Sequence, residues 1–239
     1  MAIISNTVNY LDGDTLLEAF FAYDDNFEGR RPAVLISHAW GGRNEFVDNK
    51  ARELAELGYV AFALDMYGQG VLGTSTEGNA ALMQPFIDDR QLLQQRINAA
   101  LYAVKLLPWV DDSKVAAIGF CFGGLCVLDL ARMGADIKGV VSFHGLLIPP
   151  PQVEDTAIHA KVLALHGHDD PMATYAQVDA FTKEMTRLKV DWQLHSYGNT
   201  VHAFTNPEAN APEFGTVYNE VASQRAWQSM QNFLIEIFA

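Results

Sequence analysis

The chain has 239 residues, 49% of them apolar and 19% charged, which is enough to bury a sizeable core and sets intrinsic disorder aside. Lys and Arg number 16 and Asp and Glu 29, a formal net charge of −13 that repels DNA, RNA and anionic lipid alike. The two cysteines, Cys121 and Cys126, are too few for a disulfide framework and lack paired metal-ligand spacing.

The start, Met1-Ala-Ile-Ile-Ser-Asn-Thr-Val-Asn-Tyr10, has no basic segment and no long apolar run, so no signal peptide is expected. No apolar stretch approaches the ~18 residues of a membrane helix. The expected setting is cytoplasmic and reducing, with no nucleic-acid or membrane partner. Thr7–Tyr10 and Thr15–Tyr23 flank Asp12-Gly13-Asp14, a turn between two β-like runs, and predict an N-terminal hairpin. Ala33–Ser37 reads as a short apolar strand ending before a Trp40-Gly41-Gly42 loop. Asn44 is a helix-cap candidate for a helical stretch carrying Phe46, Ala51, Leu54 and Leu57 and closed by Gly58. Tyr59–Leu64 is the next predicted strand, and the segment from Met66 to Phe86 is read as a pocket-shaping loop.

The alternation then repeats. A single helix is predicted with Ile87, Leu92, Ile97, Leu101 and Val104 on one face, followed by a strand over Lys114–Gly119. Cys121–Met133 reads as a helix closed by Gly134. Strands over Lys138–Phe143 and Lys161–His166 bracket a rigid Pro149-Pro150-Pro151 loop, part of a second pocket-shaping segment from Leu146 to Ala160. A helix over Tyr175–Leu188, a strand over Trp192–Tyr197 and a C-terminal helix complete the chain. Buried strands alternating with amphipathic helices predict one α/β domain over residues 1–239, with a largely parallel sheet covered by helices on both faces and a hairpin adding antiparallel edge strands.

Ligands gather at the C-terminal ends of strands in such sheets. The strongest motif there is Val115-Ala-Ala-Ile-Gly-Phe-Cys121-Phe-Gly-Gly124, an apolar strand turning into a helix through Gly-x-Cys-x-Gly. A strand that turns sharply into a helix strains its corner residue, and flanking glycines let neighbouring backbone pass closely. The corner side chain then stands above the sheet at a helix N-terminus, which favours thiolate. Taken alone, a free cysteine is more often a small buried hydrophobe, and Cys126, five residues on, is assigned that role. In the full motif Cys121 is the candidate nucleophile.

A thiolate nucleophile needs a base and a group that orients the base, expected in the order nucleophile, acid, histidine. His166 is followed by Gly167-His168-Asp169-Asp170-Pro171, which offers two acids, Asp169 or Asp170. Tyr197 is followed by Gly198-Asn-Thr-Val-His202-Ala-Phe204, which offers His202. His38 and His144 also follow strands and are candidates to line the pocket, although a structural role suits each better; His195 falls within a strand and is read as structural. The run His166-Gly-His168-Asp169-Asp170 resembles the ligand-rich stretch of a His-x-His-x-Asp-His zinc hydrolase, but position 171 is proline and no second histidine pair with ligand spacing exists. No metal and no cofactor are expected.

With these residues in place, the chain resembles the dienelactone hydrolase family of α/β-hydrolases over nearly its whole length. The resemblance rests on Gly119-Phe-Cys121-Phe-Gly123-Gly124, Ala63-Leu-Asp65-Met-Tyr67-Gly68, Gly167-His-Asp-Asp170-Pro and the segment from Tyr197 through His202-Ala-Phe204. It implies Cys121 as nucleophile, His202 as base and Asp170 as orienting acid, because the family's acid sits three residues after the loop glycine. It also implies backbone N–H groups of Phe122 and of Ala39 (or Trp40) as the oxyanion hole. Trp40, Tyr67 and Phe122 are the candidate contacts for a small-molecule substrate. Two departures stand out. Members that open dienelactones carry a glutamate just after the third strand, where this chain reads Ser37-His38-Ala39-Trp40-Gly41-Gly42. They also clamp the substrate carboxylate with arginines, one of them at the position occupied here by Asn206; Arg43, Arg90 and Arg96 are the candidate replacements. The implied activity is hydrolysis of a neutral ester or lactone, with neutral phosphotriesters as an alternative substrate and a non-catalytic binding protein as an alternative class.

Overall fold

A computed structural model describes residues 2–151 and 156–239. Positions 152–155, within the second predicted pocket-shaping segment, and Met1 lie outside the described residues. The fold class is α/β, a mostly parallel sheet of eight strands with helices and one antiparallel hairpin. Two compact units divide the chain, Met1–Ile118 and Gly119–Ala239.

The first unit opens with the predicted hairpin, longer than the sequence signals suggest. Strands β1 (Ile3–Asp12) and β2 (Thr15–Asp24) pair antiparallel in continuous register from Ile3 opposite Asp24 to Asp12 opposite Thr15, so Gly13 and Asp14 alone make the turn. Next come β3 (Arg31–Ser37), α1 (Glu45–Glu56) and β4 (Val60–Ala63); β4 runs parallel to β3 and antiparallel to β2. All four β4 residues are buried, as an apolar run without alternation requires of a central strand. Asn44 occupies the N-cap position of α1, but its side chain makes no capping bond.

The single helix expected around Ile87–Val104 is two. Helix α2 (Thr76–Asp88) occupies much of the predicted Met66–Phe86 loop, and α3 (Arg90–Lys105) follows it. The break is at Asp89, whose extended backbone (φ −119°, ψ 94°) lets its carboxylate accept the Gln91 and Leu92 N–H groups, both at 3.0 Å. The buried face of α3 is Leu93, Ile97, Ala100, Leu101 and Val104, a true 3.6-residue stripe, and Leu92 lies off it. Strand β5 (Val110–Phe120) neighbours β3 and carries the chain across the unit boundary.

The second unit begins with the end of β5 and α4 (Phe122–Arg132). Every residue of α4 is buried, consistent with a sequence apolar nearly all round. Its two charged residues, Asp129 and Arg132, pair with each other at 3.2 Å. Strands β6 (Gly139–Phe143), β7 (Lys161–Gly167) and β8 (Trp192–Tyr197) follow in parallel, with α5 (Tyr175–Arg187) between β7 and β8. A small hairpin that the sequence does not announce, β9 (Asn210–Ala211) and β10 (Thr216–Val217), encloses a 3-10 turn over Pro212–Phe214. Helix α6 (Glu220–Phe238) ends the chain against β6 and β7.

Candidate active site

Cys121 stands at the corner between β5 and α4 with φ 55° and ψ −115°, a left-handed conformation that a residue with a Cβ rarely adopts. Its N–H donates to the Phe143 carbonyl at 3.0 Å, and its carbonyl accepts the Gly124 N–H at 2.9 Å. The glycine spacing has a steric cause. A Cβ on Gly119 would come within 2.0 Å of the Gly123 carbonyl oxygen, and one on Gly124 within 2.7 Å of the Gly145 Cα. Backbone lies in both spaces, with Ser142 Oγ nearer still at Gly124 (2.6 Å), so neither position accommodates a side chain. Cys121 is partly exposed, whereas Cys126 is fully buried inside α4. Both thiols are free of disulfides.

The acid and the histidine come from the loops after β7 and β8. The His202 Nδ1–H donates to Asp170 Oδ2 at 2.8 Å, with both residues almost fully buried. The second carboxylate oxygen of Asp170 accepts the Met172 N–H at 2.8 Å, which fixes the carboxylate plane. Asp169 is exposed, so the choice that the sequence leaves between the two acids falls to Asp170 on geometry. The backbone of His202 is pinned on both sides by the small hairpin: its N–H donates to the Gly215 carbonyl and its carbonyl accepts the Val217 N–H. This is why a histidine in a loop is 2% exposed.

The remaining ring nitrogen of His202, Nε2, is buried and outside conventional hydrogen-bond geometry. Burial opposes charge on this ring most strongly. The charge of Cys121, the Asp170 hydrogen bond and the Cys121 side chain together outweigh it, and the His202 pKa rises to about 10. The group therefore favours imidazolium beside thiolate.

Phe122, the first expected oxyanion donor, opens α4, where the N–H groups of the first turn point out of the helix end. Ala39 lies in the first unit just after β3, partly exposed, and its carbonyl accepts the Gly42 N–H at 3.2 Å. Trp40 and Tyr67 are brought together there: the Tyr67 hydroxyl donates to the Trp40 carbonyl at 2.8 Å. His38 packs edge-on against Tyr67 and receives the Met66 N–H on Nε2 at 3.2 Å. Burial holds the His38 pKa below the usual histidine range. His195 shares a hydrogen bond with Ser229 at 3.2 Å, a structural role.

Two of the three candidate clamp arginines are committed elsewhere. Arg43 bridges Glu18 at 2.6 Å and Asp48 at 3.0 Å; Arg96 pairs with Asp12 at 2.7 Å and donates to the Met66 carbonyl. Arg90 is buried at the start of α3. Among the described residues, no group of three or more His, Cys, Asp or Glu side chains is arranged to hold a metal ion. His166 is buried while His168 is exposed and bonded to Tyr175, so the ligand-like run does not converge.

Sequence reasoning offers His144 as a pocket-lining candidate but does not link it to His202. Its ring lies edge-on to His202, with centroids 5.1 Å apart, and no spacing along the chain relates the two.

Comparison with known proteins shows the family. A 154-residue stretch is 41% identical to an uncharacterized protein of Caenorhabditis elegans, covering 62% of this chain and 95% of that one. A Bradyrhizobium protein named as a 2-oxo-3-(5-oxofuran-2-ylidene)propanoate lactonase is 28% identical over 86% of this chain and 84% of its own. Among solved structures, a dienelactone hydrolase-like promiscuous phosphotriesterase from metagenomic libraries matches all of both chains, with 39% identity and a TM-score of 0.96. The model of the dienelactone hydrolase family matches residues 17–238, so the chain belongs to that family and is an ester hydrolase.

Proposed function

We propose that this hydrolase cleaves small neutral esters or lactones by covalent catalysis, with Cys121 as nucleophile, His202 as acid and base, and Asp170 as the group that orients His202. The observation that carries the reading is the buried 2.8 Å contact between His202 and Asp170, on a histidine whose charge Cys121 sustains. The Cys121 thiolate bonds to the carbonyl carbon, and the carbonyl electron pair moves onto oxygen. Collapse of that intermediate expels the alkoxide, which takes the proton from His202 Nε2 and leaves a thioester. Water then attacks the thioester carbonyl and gives a proton to His202. The second collapse releases the carboxylic acid and restores thiolate and imidazolium. The Phe122 N–H is the proposed oxyanion donor supported by its place at the α4 terminus. The second donor, from Ala39 or Trp40, rests on the family resemblance, and Trp40 and Tyr67, which meet after β3 and β4, are the proposed substrate contacts.

The family model runs through both compact units, which supports reading residues 1–239 as one catalytic domain. We read the enzyme as cytoplasmic; neither cysteine is in a disulfide, and among the described residues no helix is long and apolar enough to cross a membrane.

A second reading is favoured by the phosphotriesterase neighbour: the same thiolate would attack the phosphorus of a neutral triester and expel its best leaving group. One assay tests both. Purified protein is mixed with p-nitrophenyl acetate or a p-nitrophenyl dialkyl phosphate, with Cys121→Ala and a thiol-alkylated sample alongside. The expected result is a nitrophenol burst with the ester and an intact-mass adduct on Cys121, both lost in Cys121→Ala. Turnover that survives in Cys121→Ala would overturn the covalent mechanism; absence of any burst or turnover in the native protein would favour a binding protein.

A further inference from the structure

The triad chemistry leaves the buried His144 beside His202 without a role. It directly follows β6, and its backbone is held at φ 39°, a second left-handed non-glycine residue close in the fold to the Cys121 corner. Its N–H donates to the Leu165 carbonyl at 2.8 Å, and the carbonyl of the preceding Phe143 accepts the Cys121 N–H at 3.0 Å. The ring then makes three contacts with one loop. It lies edge-on to His202 (5.1 Å, 68°) and to Phe204 (5.2 Å, 76°), and its Nε2 shares a 2.8 Å hydrogen bond with Thr205 Oγ1. That loop is itself strained, with Ala203 at φ 57°.

We infer that His144 is the positioning residue of the base loop, tying the segment that carries His202 to the strand end that holds the Cys121 backbone. The inference rests on the triad reading of Cys121, His202 and Asp170. Asp170 fixes His202 through Nδ1 in the ring plane, which leaves rotation about that bond unopposed. An aromatic edge against the ring limits that rotation and keeps Nε2 aimed at sulfur. The Thr205 bond anchors the loop three residues further along. A flat, neutral ring is needed, because a second cation beside imidazolium would repel it. Burial, and then the neighbouring His202, both hold His144 well below the usual histidine pKa.

The test is a double-mutant cycle with p-nitrophenyl acetate turnover as the readout. His144→Ala removes ring and hydrogen bond; kcat is expected to fall roughly 10- to 100-fold with KM little changed, the usual result of a misaligned base. His144→Phe keeps the edge contact but loses the Thr205 bond, and Thr205→Val loses the same bond from the other side. Each is expected to give a smaller kcat loss than His144→Ala, and the double variant no more than either alone. A packing role would instead lower thermal stability and active fraction with kcat per active site unchanged, and active sites are counted by the burst. If His144→Ala does not fold, His144→Phe and Thr205→Val carry the test. Native kcat in the folded variants, a change in KM alone, or strictly additive losses would overturn the inference. Cys121→Ala separates the two readings: turnover surviving there removes the triad and this role together. Inactive Cys121→Ala beside fully active His144 variants removes this role only.

Discussion

Asp170 offers one carboxylate oxygen to His202 and the other to the Met172 N–H, so neither oxygen is left for solvent to compete over. Replacing it by asparagine keeps the shape and loses the charge. The amide N–H can also donate to Nδ1, which selects the tautomer protonated on Nε2 and leaves no lone pair there to take a proton. Asp170→Asn is expected to lower kcat on the order of 10³- to 10⁴-fold with KM nearly unchanged. A native kcat would remove Asp170 from the mechanism. The same group makes a prediction about stability. The His202 pKa is about 10 in the folded protein against the ordinary 6.5, so the folded state holds a proton that the unfolded chain releases in between. Its stabilising contribution is complete below the lower value and is lost as pH rises through the upper one. Chemical denaturation at a series of pH values should show unfolding free energy declining across that window. In Cys121→Ala the decline should end at lower pH and be smaller, because the charge that most favours imidazolium has gone. Coincident profiles for the two proteins would mean that thiol and imidazole do not share charge.

The element that presents the nucleophile is held from its far end. Arg132, in the last turn of α4, pairs with Asp129 at 3.2 Å and with Glu184 of α5 at 2.8 Å, and it donates to the Leu147 and Ile148 carbonyls. Asp129 is wholly buried, so Arg132→Ala leaves a carboxylate in the core without its cation. The expected cost is about 3–5 kcal/mol, read as a lowered denaturation midpoint, with Arg132→Lys recovering only part of it. A loss below 1 kcal/mol would show that Asp129 has other adequate partners. Elements this apolar were legible in the sequence. β8 covers the predicted Trp192–Tyr197, and the β5–α4 corner could be placed by its glycines, because backbone contact excludes any side chain there. The break at Asp89 was not legible: apolar residues on both sides fit one helical stripe, and a capping carboxylate looks like any surface acid until its backbone extends. The β9–β10 pair was hidden for another reason. Two-residue strands carry no alternation to detect, and their role in pinning His202 depends on Gly215 and Val217 meeting a residue more than ten positions away. His144 was legible as a histidine after a strand, but its contact with His202 arises only when the loops after β6 and β8 meet.

Over the whole molecule, the charge of −13 bears on the choice of substrate. Two arginines that could have clamped a carboxylate already neutralise acids of the first unit: Arg43 serves Glu18 and Asp48, and Arg96 serves Asp12. An anionic ester must therefore approach a surface of its own sign without those guanidiniums to receive it. Repulsion of this kind is long-ranged at low ionic strength and is screened within ~10 Å at 0.1 M salt. A neutral ester feels neither the field nor its screening. The expected outcome is a kcat/KM for p-nitrophenyl acetate that is flat as sodium chloride is raised, while that for an anionic p-nitrophenyl ester of a dicarboxylic acid starts lower and climbs several-fold. Screening acts on encounter, so the climb should lie in KM, with kcat constant. If the anionic ester were instead the better substrate at low salt and weakened as salt rose, a local cation would outweigh the net charge. Arg90, buried at the head of α3, would then be the first residue to replace.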